Sequence, residues 1–196
     1  HERALDACLL EDGEDARLGI LGPVGRAVMN VGVEDGKIGA LRAQLAAAHS
    51  AVRFVAIADV DAARARDLAQ KVGAAFHSGD NLQAISRPEV DAVIVATSEG
   101  EHVEPVLQAL ERGKAVLVEK PIALDLAGAD RILAEAARRN ADLRVGYSRR
   151  YKERYLIAKE QVLQGRVGRI VGAAARVFNS RAQALAMLRR NPGATP

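Results

Sequence analysis

Between residues 31 and 146, short apolar runs alternate with stretches of helical periodicity, and this alternation leaves few folds open. The runs 92–96 and Ala115–Val118 contain no polar residue. A strand with one wet face alternates polar and apolar positions, so an unbroken apolar strand is buried on both sides. Such strands separated by helices predict a parallel sheet with helices packed on each face. The expected order is a strand at 31–33 and a helix from Ile38, with Ile38, Leu41, Leu45 and Ala48 on its apolar face. A strand at 52–58, a helix at 61–72 and a short strand at 74–76 follow. Next come a helical turn at Asn81–Ile85, the strand at 92–96, a helix at 102–112 and the strand Ala115–Val118. A helix at 126–139 and the strand Leu143–Val145 close the series. Asp61 is placed to cap the helix behind it and Gly73 to end it.

The flanks differ. Residues 1–30 form an N-terminal segment with no clear element, and beyond Gly146 a helix at 151–164 leads into a longer strand at 169–177. A helix feeding a strand after a completed β/α series predicts that a second, α+β domain begins near residue 149. The 196 residues suffice for one full domain and the start of another.

Composition removes several classes. With 49% hydrophobic and 27% charged residues, the chain has the profile of a soluble globular protein rather than a disordered one. No apolar run approaches the roughly 18 residues of a spanning helix, and no signal peptide is evident, so no membrane partner is expected and the cytoplasm is the expected location. The single cysteine, Cys8, excludes an intramolecular disulfide and a cysteine-based metal cluster, and no metal site is expected. The net charge of +3 comes from dispersed arginines, and three Phe, three Tyr and no Trp supply no stacking platform, so no nucleic acid partner is expected.

A glycine-rich turn between a strand and a helix, with an acidic residue at the end of the next strand, is the mark of a dinucleotide site. Gly36, Lys37, Ile38 and Gly39 open the first helix, and Gly39 lies 20 residues before Asp59. Glycine lets the backbone approach a pyrophosphate, the helix start offers N–H groups and a positive dipole end, and the carboxylate accepts from ribose hydroxyls. Glu34 stands where the first glycine of the usual pattern belongs. A second cluster, Gly19, Gly22 and Gly25, competes for the same role. Asp59 favours NAD over NADP, whose 2′-phosphate it would repel; the nearest arginine is Arg64. Asp59 or Asp61 has the alternative role of helix cap.

The run DAVIVATSEGEHVEPVLQALERGKAVLVEKPIAL, with ADVD before it and VGYSRRY after it, resembles the glucose-fructose oxidoreductase / inositol dehydrogenase (Gfo/Idh/MocA) family. That resemblance implies a Rossmann doubly wound sheet followed by the start of a substrate domain, and an NAD-dependent dehydrogenase acting on a sugar, polyol or similar small hydroxylated substrate. It implies that Ala96, Thr97 and His102 lie along the cofactor, and that Glu119 and Lys120 belong to the EKP element. Lys120 stands near the nicotinamide and the substrate hydroxyl, and Tyr147 and Arg149 border the substrate pocket. Ser98, Glu99 and Gly100 depart from the family's usual residues. The family's catalytic Asp and His have no match here, so the chain is expected to be a fragment with those residues beyond 196, and the full-length form to be a homo-oligomer. A non-catalytic dinucleotide-binding module, or an inactive fragment of such an enzyme, is the alternative. Independently of any family, a lysine at the carboxyl end of a parallel strand faces the crevice where ligands bind in open α/β sheets.

Overall fold

The computed structural model describes residues 28–31, 37–176, 178, 180–182 and 185. Six parallel strands form one sheet in the order β3-β2-β1-β4-β5-β6, which is the doubly wound Rossmann order. The strands are β1 Val28–Val31, β2 Val55–Ala58, β3 Phe76–Ser78, β4 Ala92–Val95, β5 Ala115–Val118 and β6 Leu143–Val145. The helices are α1 Lys37–Ala48, α2 Ala62–Val72, α3 Asn81–Ile85, α4 Val103–Glu111, α5 Leu126–Arg138 and α6 Glu153–Leu163.

Both faces of the sheet are covered, which is why the strands are apolar throughout. Ile57 packs with Ala43 of α1 and with Ala65 and Ala69 of α2 on one face. Val93, Val95, Val116 and Val118 pack with Val106 and Leu110 of α4 and Ile132 of α5 on the other. Successive strand residues point to opposite faces, so Ile94 and Leu117, which cluster with Ala46 of α1, are out of phase with the valines beside them. Asp61 caps α2 by accepting from the Ala63 and Arg64 N–H groups, and Gly73 ends it in the left-handed conformation at φ 66°. A side chain at Gly73 would be strained by the backbone alone.

Several expectations shift. β1 already includes Val28, three residues before the expected start, with Val28 opposite both Val55 and Ala92, while 32 and 33 lie outside the described residues. The buried face of α1 is Gly39, Arg42, Ala43 and Ala46, whereas Ile38 is exposed. Small residues let the helix approach the sheet closely, and the larger leucines flank that contact. The expected strand at 169–177 is absent over 169–176, where the chain is exposed. α6 starts at Glu153, after a 3-10 turn at Ser148–Tyr151. The chain divides into two compact units, His1–Leu156 and Ile157–Pro196; the sheet belongs to the first. No helix among the described residues is long and apolar enough to cross a membrane, and none of their His, Cys, Asp and Glu side chains group to hold a metal.

Candidate dinucleotide site

Parallel strands in register bring their following residues to one edge. Val31 is opposite Ala58 and Val95, Val95 is opposite Val118, and Val118 is opposite Val145. The next residues, Asp59, Ala96, Glu119 and Gly146, therefore form a row along the carboxyl edge. The ladder continues into it: the amide of Glu119 donates to Val95 O at 2.8 Å and that of Gly146 to Val118 O at 2.8 Å. Three strand spacings separate Asp59 from Glu119, about 14 Å. β1 lies between them, and α1 begins six residues after it ends, at Lys37.

The connection from β1 to α1 therefore contains Gly36, which lies outside the described residues together with Glu34 and the cluster Gly19, Gly22 and Gly25. That earlier cluster precedes β1 in the chain and so does not link it to α1. Lys37, Ile38 and Gly39 form the first turn of α1.

At the β2 end, Asp59 is nearly buried, at 3% exposure. Its Oδ1 accepts from the Asp61 amide at 2.9 Å and from the Arg64 guanidinium at 3.0 Å. Asp61, not Asp59, is the cap of α2, which leaves Asp59 without that alternative role. Beside it opens a cavity of about 550 Å³, within the size range of small-molecule sites. Asp59, Arg64, Asp80, Thr97, Ser98, Glu101 and Glu104 are its charged and hydroxyl-bearing lining residues. Thr97 Oγ1 is buried and has no hydrogen-bond partner among the described residues. A buried hydroxyl without a partner is costly, and one beside an open cavity fits a polar ligand that completes it.

At the β5 end, Arg42 Nε donates to Glu119 Oε1 at 2.8 Å, and both side chains are largely buried, at 8% and 16% exposure. A Cβ at Gly146 would stand 2.7 Å from Glu119 Oε2, so glycine is what admits this carboxylate against the end of β6. Lys120 follows with an exposed side chain that has no hydrogen bond or ion pair among the described residues.

His102, just before α4, turns its side chain inward. It is buried, at 1% exposure, with Nδ1 2.6 Å from Pro121 O and Nε2 3.2 Å from Thr97 O. Its ring is thus occupied by two carbonyls. Ala96 is buried at the end of β4. Tyr147 and Arg149 lie just past β6 in and beside the exposed 3-10 turn, and it is Arg150 that stands over the Tyr147 ring, 5.8 Å from its centre.

Arg42 was not legible as a site residue, since nothing around it in the chain marks a charged side chain on a buried helix face. Carboxyl shifts away from the row are surface matters. Glu135 on α5 is pulled down to about 2 by hydrogen bonds from Arg138 and then Arg139.

Known proteins share this architecture and sequence. Residues 27–147 match the Gfo/Idh/MocA family, described as an oxidoreductase family with an NAD-binding Rossmann fold. The chain is 33% identical over 142 residues to a myo-inositol 2-dehydrogenase from Thermotoga maritima, covering 72% of this chain and 42% of that protein. It is 43% identical over 117 residues to inositol 2-dehydrogenase 3 of Saccharopolyspora erythraea, covering 59% and 34%. The crystal structure of scyllo-inositol dehydrogenase from Lactobacillus casei with bound NAD(H) and scyllo-inositol superposes with a TM-score of 0.68 at 27% identity, over 74% of this chain and 42% of that one. The chain thus spans about two fifths or less of the length of these relatives. With the sheet order, the row of residues at its carboxyl edge and the match over 27–147 in hand, the chain belongs to the Gfo/Idh/MocA family of NAD-binding oxidoreductases.

Proposed function

We propose that the chain is the cofactor-binding part of an NAD-dependent dehydrogenase that oxidises a carbinol carbon of a cyclic polyol or sugar. The observation that carries this reading is the row that sets Asp59 and Lys120 on one edge of the sheet with the start of α1 following the strand between them. Asp59 accepts hydrogen bonds from the adenosine ribose hydroxyls, the first-turn amides at Lys37 and Ile38 face the pyrophosphate, and Thr97 Oγ1 gains its missing partner from the bound molecule. The bound nicotinamide supplies the hydride acceptor. Lys120, exposed at the end of β5, takes the proton of the substrate hydroxyl, and its amine is available because no carboxylate among the described residues holds it. Tyr147 and Arg149 border the substrate. The inositol dehydrogenases among the relatives support a polyol as substrate class.

The cavity favours NAD over NADP on electrostatic grounds. Asp59, Asp80, Glu101 and Glu104 line it against one guanidinium, that of Arg64, and this balance disfavours a 2′-phosphate. Calorimetry of the chain with each cofactor is the test. NAD is expected to bind at least tenfold more tightly than NADP, and absence of binding by both at millimolar concentration would remove the cofactor and the chemistry built on it.

A further inference from the structure

His102 opens α4, yet its side chain does not cap that helix. Instead it spans two segments that leave different strands: Thr97, past β4, and Pro121, past β5 and 19 residues beyond His102. We propose that His102 is a positioning residue for Lys120, acting through the Pro121 carbonyl and tying the segment after β4 to the turn after β5. The proposal rests on the reading of Lys120 as the proton acceptor.

The geometry sets the direction of the main bond. A carbonyl only accepts, so the ring must donate to Pro121 O, and at 2.6 Å this contact is at the short end for N–H···O. A neutral ring donates from one nitrogen, so with the hydrogen on Nδ1 the Nε2 contact with Thr97 O is no hydrogen bond, and the segment after β4 is tied through the backbone of His102 itself. At 1% exposure the ring is screened from water that would compete for Pro121 O.

Lys120 is then held on both sides. Arg42 fixes Glu119 before it and His102 fixes Pro121 after it, while the amine itself has no partner among the described residues. A side chain that must reach a ligand benefits when its backbone is ordered in advance and its own polar atom is uncommitted.

The test is native-state hydrogen exchange on the full chain carrying His102→Asn, His102→Gln or His102→Leu. The Asn amide nitrogen takes the place of Nδ1, and that of Gln takes the place of Nε2. The Glu119 amide, bonded to Val95 O, reports on the Lys120 turn, and the Glu101 amide, bonded to Ser98 O, on the other segment. The Ala74 amide, bonded to Ala69 O at the end of α2, is the remote reference. His102→Leu is expected to lower protection at Glu119 roughly fivefold with Ala74 unchanged, the size of one lost hydrogen bond. His102→Asn is expected to restore Glu119, and His102→Gln is not.

Equal loss at Glu119 and Ala74, or equal loss at Glu119 in the Asn and Leu variants, overturns the proposal. NADH titration of the unmodified chain is separate: failure to bind overturns the dinucleotide reading whatever the exchange pattern, whereas a uniform loss of protection with NADH bound overturns the brace alone.

Discussion

Asp59 and Glu119 occupy equivalent places, each the first residue past a strand on the same sheet edge, and each is paired with an arginine. Their surroundings differ. Arg64 stands five residues from Asp59 in sequence and its side chain is 46% exposed. Arg42 stands 77 residues from Glu119 and its side chain is 8% exposed. An ion pair with a wet partner is worth little and exchanges readily, so Arg64 holds Asp59 only weakly. A buried pair is different in kind: each charge depends on the other for its solvation, so Arg42 and Glu119 lock α1 to the end of β5. One end of the row sets a weakly held carboxylate beside an open cavity, and the other holds the residue next to Lys120 still.

The largest test of this contrast is Arg42→Met, which strands a buried carboxylate. We expect a loss of about 3–5 kcal/mol in urea denaturation, and a loss under about 1 kcal/mol would make the two pairs alike. Gly146→Ala probes the same carboxylate from the β6 side. Its Cβ meets Glu119 Oε2 at 2.7 Å, and because Arg42 holds the carboxylate through its other oxygen, Oε1, the expected cost is about 1–3 kcal/mol. An unchanged midpoint for this variant would mean that Glu119 moves aside without losing Arg42. Arg64→Ala is the smallest, with less than about 1 kcal/mol expected in the same denaturation. A larger loss would show that the Asp59 pair is structural and that the comparison between the two ends fails.

Much of the scaffold was legible in the chain. The unbroken apolar runs at β4 and β5 required cover on both faces, and Asp61 and Gly73 marked the ends of α2 because capping is local chemistry. The place of Asp59 at the end of β2 was readable because the apolar run stops there. The burial of α1 was misread because large apolar residues suggested the inner face, whereas close packing on the sheet selects glycine and alanine. The strand expected at 169–177 could not be judged from its composition, since a strand is defined by its neighbour.

The site divides along the same line. The residue types at the strand ends and their order were set by the sequence, because a parallel sheet in register carries every strand end to one edge. Which side chains face a ligand and which face each other was decided only by the tertiary structure. Glu119 turned to Arg42, and His102 turned to the carbonyls of Thr97 and Pro121, because a buried charge or ring nitrogen must find a partner and those partners are distant in the chain.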